Sequence, residues 1–257
     1  MDLAEELPAD SAASDGGHRH QARRTICSAG CGRPINVCLC HALPSSPLAT
    51  ATKVVILHHP HESKHKLATV PLLSKCLQNC EIVVGRKLKY GQSKLLDSLH
   101  DHACENRNSP LNRVVYLFPG PDALPVAEVV NQGNNSLGDT AMSGIILIVF
   151  DGTWKHAKEM VVASSPFLSK FAIQACLDFD VEVGGGTIFD SELILRKEPF
   201  GGCMSTMEAV ARCLRILEPN GIDIESTLIN VLKAMVNFQA CFLKPLKPRR
   251  HLMQNHG

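Results

Sequence analysis

Aromatic residues are scarce in this 257-residue chain, making up 5% of it, with one tryptophan and two tyrosines. A platform of aromatic rings on which unpaired bases stack is therefore disfavoured. Net charge is also close to zero, at +1, so no overall basic field marks a polyanion binder. No apolar run approaches the roughly 20 residues needed to span a bilayer. The opening residues MDLAEELPAD are acidic, with neither the apolar stretch of a secretory signal nor the arginines of a transit peptide. The expectation is a soluble protein of the nucleus or cytoplasm, with no membrane partner. In such a reducing setting eleven cysteines do not form a disulfide framework, and an odd number leaves one unpaired in any case.

What is present is an apolar fraction of 45%, enough for one substantial core. Residues 1–24 mix Ala, Ser, Gly, His and charge without periodicity and read as a disordered tail. A four-cysteine segment over 25–42 and a Pro- and Ser-rich linker follow. From Lys53 short β-branched runs alternate with amphipathic ones: KVVIL, EIVVG, RVVYLF and GIILIVF read as strands, and LATVPLLSKCL, SKLLDSLHDHAC and TWKHAKEMVVA as helices. That alternation predicts an α/β domain over 53–243, with a parallel sheet and flanking helices. The segment 171–195 reads as irregular, and 120–143 as a surface loop. Further helices are expected in STMEAVARCLRILEP and over 224–243, before a short basic tail, 244–257.

Seven of the cysteines are scattered through apolar segments and read as small core residues. The other four, Cys27, Cys31, Cys38 and Cys40, are spaced C-x3-C-x6-C-x1-C. Four thiolates close a tetrahedral zinc shell, and a short segment this poor in apolar residues needs such a staple to be ordered. A redox role, or no shared ligand, are the alternatives. The histidines of HHPHESKH, namely His58, His59, His61 and His65, follow a strand without an accompanying thiolate and are a weaker metal candidate.

Charge is unevenly spread. Between Lys53 and Lys94 there are eight Lys and Arg against two Glu, and from Lys244 onward four basic residues and no acid. Arg86, Lys87, Lys89 and Lys94, with Lys244, Lys247, Arg249 and Arg250, are thus candidates for nucleic-acid phosphates, or are solvated surface. Asp151 ends the most apolar run of the chain, where α/β proteins place chemistry, although it equally reads as the cap of the next helix. Trp154 and Ala157 share a helix face, so Trp154 either packs or stacks on a base. Ser205 and Glu208 form a capping box, and the same helix terminus offers N–H groups to an anion. Arg196 suits a bidentate carboxylate contact or a surface ion pair. Pro119, Gly120 and Asp122 form a pocket wall or a plain turn.

CSAGCGRPINVCLC, HHPHES, LFPGPDA, DGTW and LRKEPFGGCMSTMEA, in this order, resemble the DTW-domain proteins over about residues 27–243. One departure is the C-x3-C pair, where the family commonly has C-x2-C. The resemblance implies a SPOUT-like sheet with a trefoil knot near the carboxyl end. It also implies transfer of the 3-amino-3-carboxypropyl group of S-adenosyl-L-methionine to N3 of a tRNA uridine, giving acp3U and methylthioadenosine. Uridine N3 is a poor nucleophile until its proton is removed, so Asp151 is the expected catalytic base. The donor is expected at Pro119, Gly120, Gly152, Thr153, Trp154, Arg196, Ser205, Thr206 and Glu208. Rival readings are an S-adenosylmethionine-dependent RNA methyltransferase and a non-catalytic zinc-containing RNA-binding module.

Overall fold

A computed structural model of the chain describes residues 25–28, 30–65, 68–105, 114–129, 144–177 and 204–241. Its centre is a parallel sheet of β1 (Lys53–His58), β2 (Cys80–Val84), β3 (Val114–Leu117), β4 (Leu124–Pro125), β5 (Ile146–Asp151) and β6 (Ile173–Cys176), in the order β2-β1-β5-β3-β6-β4. The helices are α1 (Val70–Cys76), α2 (Lys94–Glu105), α3 (Trp154–Leu168), α4 (Thr206–Leu217) and α5 (Gly221–Ala240).

The period-2 alternation of the central strands sorts their side chains onto two faces. Val54 and Ile56 of β1 and Leu147 and Val149 of β5 pack with α1, α4 and α5, whereas Val55, Leu57, Ile148 and Phe150 pack with α2 and α3. Both faces are covered, which is why these strands are apolar throughout. The helix after β1 lies on one face and the helix after β5 on the other, so the chain leaves these two neighbouring strands in opposite directions. The carboxyl ends of β1 and β5 therefore flank a topological switch point, where open α/β sheets bind their ligands.

Several expectations are adjusted. The helix expected in LATVPLLSKCL is confined to Val70–Cys76, and α3 runs on through Pro166 to Leu168. Strand β6 falls where the sequence reads as irregular, because Gln174 interrupts an otherwise apolar run. Its amide is satisfied within the sheet: Nε2 donates to the Phe118 carbonyl at 2.9 Å and Oε1 accepts from the Tyr116 hydroxyl at 3.0 Å. The cysteine segment packs on the domain. Cys31 and Leu39 are part of the core on the α5 face, Leu39 with no exposure, and His41 meets Phe238 of α5 edge-on at 5.7 Å. Residues 178–203 and 242–257 lie outside the described residues, and with them the expected knot, Arg196 and the basic tail with Lys244, Lys247, Arg249 and Arg250.

Candidate functional site

Parallel register places His58 of β1 directly beside Asp151 of β5, both at the last position of their strands. By parity both side chains turn to the face covered by α4. There His58 Nδ1 lies 2.6 Å from Asp151 Oδ2, and the Thr206 hydroxyl donates to Asp151 Oδ1 at 2.6 Å. Both residues are buried, His58 at 4% and Asp151 at 7% exposure. An ionised carboxylate only accepts hydrogen bonds, so with both oxygens engaged the proton of a neutral His58 sits on Nδ1.

Asp151 is not a helix cap. Thr153 takes that place in α3, its hydroxyl oxygen accepting from the His156 N–H at 3.3 Å. Ser205 caps α4 as its sequence predicts, accepting from the Glu208 N–H at 3.2 Å. Glu208 is fully buried and accepts from the Arg212 guanidinium at 2.8 Å. Two helix N-termini, of α3 and α4, thus meet at Asp151 and present partial positive charge there. Trp154 opens α3 half-buried, 6.1 Å from the ring of Phe118. Gly152 sits between helix and strand, where a Cβ would lie 3.1 Å from His156 Cβ. Pro119, Gly120 and Asp122 are exposed in the turn after β3.

On the other side of Gly152 the rings of His59 and His156 stack at 3.9 Å, 12° from parallel, with His61 edge-on at 4.9 Å from His59. Burial, then the charges of His156, His61 and Arg86, holds His59 below the ordinary histidine value. The three rings come within range of one ion. Imidazole lone pairs lie in the ring plane, however, and two nearly parallel rings do not aim at a common point. His59 Nδ1 also already accepts from the His61 N–H at 3.3 Å.

The cysteine cluster converges. Cys27 Sγ lies 3.5 Å from Cys40 Sγ and 3.5 Å from Cys38 Sγ, and Cys31 Sγ is 3.6 Å from Cys38 Sγ. Tetrahedral zinc with bonds of about 2.3 Å sets its sulfurs about 3.8 Å apart, so the four thiols fit such an ion with little movement. A short antiparallel bridge, Ile26 with Pro34, and the left-handed Gly32 at φ +66° fold the first pair together. Burial raises the Cys31 thiol, but hydrogen bonds from the backbone of Leu39 and Arg33 and from the Cys38 and Cys40 thiols outweigh it and bring it down to about 6.

Arg86, Lys87 and Lys89, between β2 and α2, and Lys94, the first residue of α2, are all exposed at the carboxyl edge of the sheet. No described helix is long and apolar enough to cross a membrane. His58 escaped the sequence reading as a partner of Asp151. The signal was available only as two apolar runs that each end in a polar residue, and their register is not written in either run.

The DTW domain matches residues 24–240. The chain is 48% identical to tRNA-uridine aminocarboxypropyltransferase A of Arabidopsis thaliana, across 90% of this chain and 87% of that protein. It is 31% identical to tRNA-uridine aminocarboxypropyltransferase 2 of Macaca fascicularis, across 91% and 70% of the two chains. The Drosophila melanogaster protein of the same name is 31% identical, across 84% and 76%. No solved structure matches. With a family match that runs from the first cysteine loop to the last helix, the chain belongs to the DTW domain family.

Proposed function

We propose that the protein is a tRNA-uridine aminocarboxypropyltransferase that uses S-adenosyl-L-methionine to convert a tRNA uridine to acp3U and releases methylthioadenosine. The observation that carries the reading is the likeness to aminocarboxypropyltransferases along nearly the whole chain. A buried acid at the switch point of the sheet, with two helix N-termini beside it, supports it.

The donor supplies a methylene carbon activated by an adjacent positively charged sulfur. The protein must hold that donor, exclude water and remove the N3 proton of the uridine. The N-termini of α3 and α4, at Thr153, Ser205 and Thr206, suit the donor carboxylate, with Arg196 as a further partner. Trp154 and the turn at Pro119 and Gly120 wall the crevice, Gly152 gives close backbone approach, and Glu208 anchors α4. Asp151 serves the proton removal. Arg86, Lys87, Lys89 and Lys94, with Lys244, Lys247, Arg249 and Arg250, hold tRNA phosphates, and the four cysteines hold a structural zinc ion. Residence in the nucleus or cytoplasm goes with this reading.

Incubating purified protein with S-adenosyl-L-methionine and tRNA transcripts, followed by nucleoside mass spectrometry, tests the reading. Acp3U with methylthioadenosine is expected. A methylated nucleoside with S-adenosylhomocysteine would replace the reading with methyl transfer.

A further inference from the structure

Asp151 is poorly disposed to take a proton from substrate itself. Its Oδ1 accepts from Thr206 and its Oδ2 faces His58 Nδ1, each at 2.6 Å, so both carboxylate oxygens are engaged. His58 has the complementary features. Its Nδ1 is committed to Asp151, while Nε2 makes no hydrogen bond to a described residue and is not among the buried side-chain atoms left without a partner. With Nδ1 holding the proton, the lone pair of a neutral ring is on Nε2. A carboxylate that fixes an imidazole by Nδ1–H, and stabilises the imidazolium once formed, is a recurrent arrangement for a general base.

We propose that His58 takes the N3 proton of the target uridine through Nε2, and that Asp151 is the positioning residue that holds its Nδ1–H. The inference rests on the aminocarboxypropyl-transfer reading. In the step, the N3 proton moves to His58 Nε2 and the N3 electron pair forms the new bond to the donor methylene carbon. The carbon–sulfur bond breaks with its electron pair remaining on sulfur, which leaves as the neutral thioether. The imidazolium, paired with Asp151, then returns its proton to water. No redox change occurs.

Two measurements test this. Long-range 1H–15N spectra of the full chain labelled at histidine nitrogen report the tautomer of His58 without any turnover. At the assay pH they should show a protonated Nδ1 and a bare Nε2, and assignment follows from loss of the signals in His58→Asn. A protonated Nε2 would overturn the proposal whatever the activity. The second is single turnover on tRNA transcripts made with uridine or with 5-fluorouridine, whose N3 proton is more acidic. His58→Asn keeps a donor toward Asp151 but has no Nε2, so its rate on uridine transcripts should fall about 10²- to 10⁴-fold. The deficit should shrink on 5-fluorouridine transcripts, and added imidazole should partly restore His58→Ala. An equal deficit on both transcripts, with no rescue, would make His58 merely structural. If the parental protein releases no methylthioadenosine, the transfer reading itself fails, an outcome separate from the tautomer.

Discussion

His58 Nδ1 and Asp151 Oδ2 stand 2.6 Å apart because adjacent parallel strands end in register, one residue at the tip of each. Asp151→Asn keeps the volume and the bond from Thr206 but turns an acceptor for His58 into a donor. His58 must then present a bare Nδ1, which moves its proton to Nε2. Aminocarboxypropyl transfer should fall at least about 100-fold in single-turnover assays, while the variant stays folded by circular dichroism. Near-parental turnover would remove Asp151 from the chemistry.

The thiol cluster predicts one zinc ion per chain. In a Cys38→Ser, Cys40→Ser double variant, elemental analysis should find the zinc gone. Because Leu39 and His41 tie this segment to the core beside α5, thermal stability should fall with it. Unchanged zinc would refute the site.

Glu218, 7% exposed at the end of α4, accepts from the Thr52 N–H at 2.6 Å and the Ala51 N–H at 3.0 Å, fixing the entry to β1. Glu218→Gln retains one acceptor and removes the charge. A loss of about 1–3 kcal/mol in urea unfolding is expected, with the turnover of the folded fraction kept. An unaltered midpoint would show that the linker docks without this carboxylate.

Neutralising Arg86, Lys87, Lys89 and Lys94 together should weaken tRNA binding and flatten the dependence of log K on log salt by roughly three to four. Titrations at several salt concentrations measure the slope. A parental slope would return the four to solvated surface.

His59 is held below its ordinary value by burial and by His156, His61 and Arg86, with Glu62 opposing them. Below the ordinary histidine value of about 6.5, the unfolded chain binds a proton that the folded stack resists, so stability rises with pH through that window and is lost as pH falls. His59→Phe keeps a stacking ring without the proton. Denaturation between pH 7 and pH 5 should show a shallower loss for the variant than for the parent.

Much of the architecture was legible because two periodicities alternate along the chain. KVVIL and GIILIVF are apolar on both faces, as buried parallel strands must be, and β1 and β5 follow from them. The caps at Ser205 and the clustering of four cysteines were readable because both depend on neighbours a few residues away. Strand β6 was not, since Gln174 is polar in sequence and becomes compatible with a strand only through Tyr116 and Phe118, more than fifty residues earlier.

The sequence by itself determined the class of fold, the clustering of four thiols and the family, all of which rest on local pattern and on the order of short motifs. Tertiary structure alone decided which partners surround Asp151. Local spacing allowed it to be a helix cap, whereas strand pairing put His58 at its side and helix packing put Thr206 above it. Those partners are 93 and 55 residues away in the chain. Contacts at such separations follow from the register of the sheet, which no single segment encodes.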